Sequence, residues 1–288
     1  MLLVGLAFGS FLNVCISRLP RDQSVVTPRS HCPRCEAAIA WYDNIPIVSW
    51  LLLRGRCRQC GSRISFRYPA VEMLTALLFL WCYASFGLGW MLAKTCIYSF
   101  LVVGLIFTDA ETGLLPAEFT YSGIVMGLLL SWFAPVDASG SEFLIRAFGG
   151  RALASQQALS VLDGVAGALF GATFFYLAWA LYYLVRRVDG VGFGDVAFAA
   201  MIGAFLGLKL TILVVFFSPI MATLFAITFL LPMRRVANLA QESQVGQSTQ
   251  SSGFLHNQVR FGVFLGISAL IALFLGEPIW KWYLGAFR

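Results

Sequence analysis

Residues 196–231 read VAFAAMIGAFLGLKLTILVVFFSPIMATLFAITFLL, and Lys209 is the only charged residue among them. A helix needs about 20 apolar residues to cross a bilayer, so this stretch is long enough for two spans. Gly207 to Lys209 separates its two halves. The stretch therefore predicts two transmembrane helices, at 196–208 and 210–231, that are joined in a tight hairpin.

The rest of the chain has the same apolar character. Of its 288 residues, 59% are hydrophobic and 12% are charged, and the mean hydropathy is +0.80. Soluble domains contain about 45–50% apolar and about 25% charged residues. Because a spanning segment must satisfy its own backbone hydrogen bonds, we predict an all-α polytopic membrane protein. About eight apolar runs are expected to span the bilayer, at 2–16, 69–86, 90–107, 119–134, 164–185, 196–208, 210–231 and 261–275.

These runs predict three parts: a first transmembrane helix at 1–17, a cytoplasmic module at 18–68 and a membrane domain at 69–288. The first run has no basic residue before it and no cleavage signal after it, so it is interpreted as a span and not as a signal peptide. A few natural residues are expected upstream of it. Within the membrane domain we expect an external loop at 135–163, amphipathic around 143–154, and a cytoplasmic linker at 232–260. Its polar part, 241–252, is predicted to be disordered.

Basic residues set the predicted orientation. Nine of the twenty lie before Pro69, which the positive-inside rule places in the cytoplasm, next to anionic lipid headgroups. Both termini then lie outside. Nucleic acid is the rival partner for a basic cysteine-rich module, and it is disfavoured because the module is short and lies between two spans. The nine residues are Arg18, Arg21, Arg29, Arg34, Arg54, Arg56, Arg58, Arg63 and Arg67.

Four cysteines in this module form two C-x-x-C pairs, Cys32/Cys35 and Cys57/Cys60. This spacing is typical of a closed tetrahedral zinc site, whose role is structural. Two disulfides are the alternative, disfavoured in the reducing cytoplasm, and a redox-active pair is a second alternative. The remaining cysteines, Cys15, Cys82 and Cys96, lie in apolar runs and are expected to be small buried hydrophobic residues.

Two acids stand at the cytoplasmic ends of predicted spans. Asp109 ends an apolar stretch, and Asp195 opens one in Gly192-Phe193-Gly194-Asp195. Two carboxylates that meet at membrane depth share a proton, so one can activate water while the other protonates the substrate, as in an aspartic protease. Gly190, Gly192 and Gly194 lack side chains, which would let an extended peptide approach the backbone.

Simpler interpretations of these acids stay open. Asp195 is also a good helix N-cap, and Asp109 could be a solvated interfacial residue. Ser-His and Cys-His catalysis are disfavoured because His31 abuts a cysteine pair and His256 lies in the polar linker, and no H-E-x-x-H zinc protease motif is present. The competing acids are Asp163, Asp189, Glu72 and Glu118, and Glu111 could be a solvated interfacial residue like Asp109.

Short motifs occur in a fixed order along nearly the whole chain. They are GLAFGSFLNV at 5–14, RLP at 18–20, SHCPRC at 30–35, WYDNIP at 41–46, SWL at 49–51, GRCRQC at 55–60, ISFRYPAVE at 64–72, LLP at 114–116 after Asp109, and GFGD at 192–195. Together they resemble the type IV prepilin peptidases. Ala117 departs from that pattern, because the family often has Asp directly after this Leu-Pro. In this chain the next acid is Glu118.

The resemblance implies a Gly-x-Gly-Asp membrane aspartic endopeptidase in the bacterial inner membrane. Such enzymes cut the basic leader from type IV prepilins or type II secretion pseudopilins at the cytoplasmic face. By position, Asp109 and Asp195 match the catalytic aspartates, with Gly192 and Gly194 positioning the substrate. Many members also methylate the new N-terminus with S-adenosylmethionine, so a peptidase without methyltransferase activity is the alternative.

The mechanism expected from this resemblance leaves some parts undefined. The zinc module would lie over the active-site opening, and exposed acids would bind the basic leader. No nucleotide-binding loop is visible, so the methyl-donor pocket cannot be placed; Glu72 is a possible participant or a structural acid. A proton- or cation-coupled transporter and a non-enzymatic assembly platform are the rival functions. The expected leader-binding acids are Asp22, Glu36, Asp43, Glu111 and Glu118.

Overall fold

The computed structural model describes residues 1–136, 140, 155–187, 192–230 and 260–285. This part of the chain is helical, with two isolated β-bridges and no β-sheet. Six of its helices are long and apolar enough to cross a membrane, and α5, with 17 residues, is an apolar helix just below that length. The helices are α1 (Leu2–Arg18), α2 (Val48–Leu52), α3 (Arg67–Phe86), α4 (Trp90–Thr112), α5 (Ala117–Phe133), α6 (Gln156–Arg186), α7 (Phe193–Phe225) and α8 (Phe261–Gly285).

Helix α7 is two spans joined at Gly207, whose φ of 77° and ψ of 176° are not helical. A Cβ atom built on Gly171 of α6 would lie 2.7 Å from the Ala199 carbonyl oxygen and 3.3 Å from Cγ2 of Thr211. If α7 were straight, Ala199 and Thr211 would be about 18 Å apart along its axis and could not both contact Gly171. The chain therefore reverses direction at Gly207, as the sequence predicts, and the two halves, 193–206 and 208–225, raise the number of apolar helices to eight.

A buried carboxylate stabilises the hairpin turn. Asp163 of α6 is fully buried and accepts a hydrogen bond from the Leu208 backbone N–H at 3.1 Å, so it caps the second half of α7. Lys94 of α4 is buried nearby, donates to the Ser131 hydroxyl at 3.0 Å and interacts electrostatically with Asp163. Asp163 was expected in a loop, but α6 begins at Gln156 and places it inside a helix.

The helix ends lie on two opposite faces. Helices α1 and α3 pack antiparallel, with an added Cβ on Gly9 only 2.7 Å from Cα of Glu72 and one on Gly5 only 2.6 Å from Cα of Ala76. This close approach uses the G-x-x-x-G spacing typical of membrane helix pairs. We call the end of the bundle that carries residues 19–66 the cysteine face, and the opposite end, with Met1, Gly207 and Gly285, the far face.

The hydrophobic core contains buried residues from α1, α3, α4, α5, α6, α7 and α8. Tyr98, Phe198 and Phe205 are its largest buried aromatic side chains, and the Tyr98 and Phe205 ring centroids are 5.1 Å apart. The expected burial of Cys15, Cys82 and Cys96 is confirmed. Helix α8 runs to Gly285, ten residues past the predicted end. The amphipathic piece at 143–154 and the disordered stretch at 241–252 lie outside the described residues.

Candidate active site

The structure brings Asp109 and Asp195 together at the cysteine face. Asp109 lies in the last turn of α4, whose C-cap Gly113 adopts a left-handed conformation, and Asp195 lies in the first turn of α7. Asp109 is buried and Asp195 is partly buried. The two carboxylates are near enough to interact electrostatically. The end of α4 and the start of α7 thus bring both acids to the same end of the bundle.

The first turn of α8 holds the Asp109 side chain. The Val263 backbone N–H donates to Asp109 Oδ2 at 3.0 Å, and the Gly262 N–H contributes a second interaction. An added Cβ on Gly262 would lie 2.9 Å from the same oxygen, so only glycine leaves this room. Backbone N–H groups at a helix N-terminus are unpaired donors that favour a negative charge. Asp109 therefore caps α8.

Arg260 fixes the position of α8 relative to Asp109. Its guanidinium donates to the Asp109 backbone oxygen at 3.0 Å and also to the Ala110 oxygen. Carbonyls at a helix C-terminus are unpaired acceptors, and a cation there is favourable. The sequence alone assigned no role to Arg260 or to Gly262. The only feature visible in the sequence is that Arg-Phe-Gly precedes an apolar run. This pattern does not identify Asp109 as the residue that they contact.

Leu115 contacts the first turns of both α7 and α8. An added Cβ on Gly194 would lie 2.9 Å from Leu115 Cβ, and one on Gly262 would lie 3.3 Å from Leu115 Cδ2. Gly192 is the extended N-cap of α7, and its carbonyl accepts the Asp195 N–H at 3.0 Å. Gly192 is exposed beside Asp195, with an added Cβ 4.0 Å from Asp195 Oδ2, whereas Gly194 packs against Leu115 and Gly190 lies outside the described residues.

The four cysteines form one cluster. All four Sγ atoms lie within 4.8 Å of one another, and Cys32 and Cys60 Sγ are 3.8 Å apart. The backbone N–H groups of Cys35 and Arg34, with the Ser62 hydroxyl, lower the pKa of the Cys32 thiol to about 6. Four thiolates this close match the donor set and the size of a tetrahedral zinc site. The described cysteines are all free, so no disulfide competes.

The two C-x-x-C turns are built alike. In each, the first cysteine N–H binds a carbonyl five residues on, Cys32 to Ala37 at 3.0 Å and Cys57 to Ser62 at 2.8 Å. The residue after the second cysteine has positive φ in both, 57° at Glu36 and 66° at Gly61. Each turn also contains an antiparallel bridge, His31 with Ala38 and Arg56 with Arg63. Two such turns that face each other supply two ligands each to one ion.

One ion pair connects this module to α4, and a second lies within the module. Arg67, the first residue of α3, binds Glu111, two residues after Asp109. Arg58 binds Asp43 in a bidentate pair at 2.6 and 2.7 Å, which lowers the pKa of that carboxyl. Two of the five expected leader-binding acids are therefore already paired with arginines. Asp22, Glu36 and Glu118 are exposed.

The competing acids lie elsewhere. Asp163 is at the far face, beside Gly207 and Lys94. Glu72 is buried between α1 and α3 and accepts the Ile47 N–H at 2.7 Å. Asp189 lies outside the described residues. Among the acids that the structure describes, the Asp109–Asp195 pair is therefore the only one with two carboxylates that interact at the cysteine face.

Comparisons with known proteins match the chain in two successive parts. The Bacterial Peptidase A24 N-terminal domain matches residues 3–86, and the Type IV leader peptidase family matches residues 96–227. The prepilin leader peptidase/N-methyltransferase of Myxococcus xanthus is 36% identical over 244 residues, 85% of this chain and 66% of that protein. The protein of that name from Aeromonas hydrophila is 32% identical, covering 99% of this chain and 93% of its own length. No solved structure matches significantly. The chain belongs to the type IV leader peptidase family.

Proposed function

We propose that this protein cleaves the basic leader from type IV prepilins or pseudopilins with the Asp109–Asp195 pair, and then methylates the new N-terminus. The similar proteins named as prepilin leader peptidase/N-methyltransferases support this activity. The excess of arginine on residues 18–67 supports a cytoplasmic position of the cysteine face in the bacterial inner membrane. Substrate and enzyme then meet within the bilayer, at its cytoplasmic edge.

The observation that carries this proposal is the unequal surroundings of two interacting carboxylates. Asp109 accepts backbone N–H groups from the start of α8, which favours its ionised form by about 0.3–1 kcal/mol. Asp195 has a single described backbone partner, Gly192. A pair of acids that cannot both ionise divides the roles according to such differences. Asp109 therefore keeps the charge, and Asp195 carries the shared proton.

Peptide cleavage follows from this division. Asp109 takes a proton from a water molecule, whose oxygen attacks the scissile carbonyl carbon, while Asp195 gives its proton to the carbonyl oxygen. Asp195 then takes a proton back from one hydroxyl of the tetrahedral diol while the C–N bond breaks, and the departing amine takes a proton from Asp109. The exposed Gly192 leaves room for the peptide beside Asp195, and Gly194 positions this turn by packing closely against Leu115. The exposed acids Asp22, Glu36 and Glu118 are available to bind the basic leader.

The cysteine cluster has a structural and not a catalytic role in this proposal. Cys32, Cys35, Cys57 and Cys60 would hold one zinc ion with all four positions filled by protein, which leaves none for substrate. The chain then divides into a first membrane helix at 1–17, a zinc module at 18–68 and a membrane peptidase domain at 69–288. S-adenosylmethionine is the proposed methyl donor, and it supplies an electrophilic methyl group when bound.

Cleavage by neutral variants tests the catalytic pair. We expect Asp109→Asn and Asp195→Asn each to abolish cleavage of a prepilin in liposomes while both proteins stay folded, with products identified by mass spectrometry. Glu277→Gln is the matched control, because Glu277 pairs with Lys209 at the far face. Cleavage by either folded aspartate variant would remove that residue from the mechanism. A cleaved product that gains no methyl group when S-adenosylmethionine is supplied would indicate a peptidase alone.

A further inference from the structure

Glu72 is a buried carboxylate without a cationic partner. Its side chain lies between α1 and α3 with 7% of the residue exposed. Ile47 N–H donates to Oε2 at 2.7 Å, and Ser10 lies within interaction range. No lysine or arginine in the described part of the chain forms an ion pair with Glu72. A buried charge of this kind is costly unless it is paired, so this position is suited to a cation that the chain itself does not provide.

A second acceptor nearby also lacks a partner. Asn13 of α1 is 3% exposed, and its amide nitrogen donates to the Tyr68 carbonyl at 3.0 Å. Its Oδ1 atom is buried and has no hydrogen-bond donor among the described residues. Tyr68 and Glu72 are one helical turn apart, about 5–6 Å along α3. Glu72 and Asn13 therefore offer two neighbouring acceptors, and the group that satisfies both is a donor-only cation such as an ammonium.

The donor that now occupies Glu72 belongs to a strained turn. Ile47 has φ 62° and ψ −49°, and Val48 N–H binds the Pro46 carbonyl at 2.6 Å across it. Positive φ at a β-branched residue is strained and is found mainly at functional sites. Ile47 is only half-buried, on the loop before α2. An incoming ammonium group can therefore take the place of the Ile47 N–H at Glu72.

We infer that Glu72 and Asn13 bind the α-ammonium group of the cleaved substrate for methyl transfer. This rests on the proposed function, which supplies a substrate with a new N-terminal amine and a sulfonium methyl donor. Glu72 accepts one proton from the ammonium, the amine lone pair forms a bond to the methyl carbon, and the S–C bond breaks to leave a neutral thioether. The product leaves as an N-methylammonium cation, and Glu72 releases its proton to solvent.

The position of the two residues suits this order of reactions. Both lie in the part that matches the A24 N-terminal domain, at the cysteine face, and neither contacts Asp109 or Asp195 in the described residues. The Arg67–Glu111 pair joins the start of α3 to the turn that carries Asp109. The new N-terminus therefore needs to move only along one face of the bundle, while the substrate helix stays in the membrane.

Glu72→Gln is the decisive variant, because glutamine keeps an oxygen that can accept the Ile47 N–H and removes only the charge. The assay measures, without methyl donor, the affinity for a peptide with the N-terminal sequence of a mature type IV pilin. The same peptide with an acetylated N-terminus serves as the comparison. We expect the wild type to prefer the free amine by about tenfold or more, the value of a charged hydrogen bond. Glu72→Gln should lose that preference and its methylation, yet cleave a prepilin at the wild-type rate.

Further variants separate this inference from the peptidase proposal. Asn13→Leu should weaken free-amine binding, and Glu277→Gln at the far face should change nothing. Asp109→Asn should still methylate the precleaved peptide, so a failed peptidase assignment leaves this test valid. An unchanged amine preference with full methylation in Glu72→Gln would overturn the inference. Loss of cleavage and methylation together in that variant would also overturn it, because it would show a structural role.

Discussion

Gly262→Ala should damage catalysis without damaging the fold. The added methyl group would lie 2.9 Å from Asp109 Oδ2, 3.1 Å from its Cγ and 3.3 Å from Leu115 Cδ2. Ordinary van der Waals contact begins at 3.4 Å, so the carboxylate must move by about 0.5 Å. Catalytic groups tolerate about that much displacement, and about 1 Å costs about a hundredfold in rate. We therefore expect kcat for prepilin cleavage to fall by about tenfold.

The free energy of unfolding of Gly262→Ala should rise slightly or stay the same. Gly262 is in the first turn of α8 and is not among the glycines with positive φ, so its backbone conformation suits alanine. Alanine is favoured over glycine inside a helix by up to about 1 kcal/mol. The free energy of unfolding in detergent should therefore be retained. Gly285→Ala is the matched control, because it lies in the same helix with nothing within 4 Å of an added Cβ.

The assay is cleavage of a prepilin in liposomes at saturating substrate, with thermal unfolding measured on the same preparations. Slower cleavage with retained stability is the expected result. If Gly262→Ala cleaved at the wild-type rate, the start of α8 would not set the position of Asp109, and the division of roles proposed for the two acids would lose its basis. A large loss of stability would equally refute the reasoning, because the clash would then fall on the packing and not on the carboxylate.

Two further predictions concern the cysteine cluster and the α7 hairpin. Cys57→Ser should abolish zinc retention, measured by elemental analysis, and lower the unfolding temperature, because the ion holds both cysteine turns together; a zinc-free protein of full stability would contradict this. Gly207→Ala should destabilise the protein by more than about 1 kcal/mol, since φ is 77° and the new methyl group meets the Asp163 carboxylate. Unchanged thermal unfolding of Gly207→Ala would show that the turn relaxes freely.

The parts of the site that the sequence predicts are those marked by composition. Asp109 and Asp195 stand out because a charge at the end of an apolar run is rare and costly, and the resemblance then assigns them a role. The hairpin at Gly207 follows from length alone, since residues 196–231 are too long for one span. The spacing of the two C-x-x-C pairs predicts that the four cysteines form one cluster. In each case a local pattern carries the information.

Contacts between distant segments are harder to predict. Gly262 lies 153 positions after Asp109, and glycines are common in membrane helices, so nothing local pairs the two. Asp163 was expected in a loop because the polar residues before it hide the start of α6 at Gln156. Asp43 and Glu111 were expected to bind the leader, but arginines from the same module occupy them. Each of these depends on which helices are neighbours.

Helix α3 links the cysteine module to the membrane domain. Its first residue, Arg67, pairs with Glu111 beside Asp109, and one turn later Glu72 faces α1 across Gly9. Because a helix is rigid over so short a distance, a change that shifts the cysteine module moves Glu72 and the Arg67–Glu111 pair together. On the proposed function, the sites of cleavage and methylation are therefore held in register by one helix. Loss of zinc should then impair methylation more than cleavage, since Asp109 has a second anchor in α8 and Glu72 depends on Ile47 of the module.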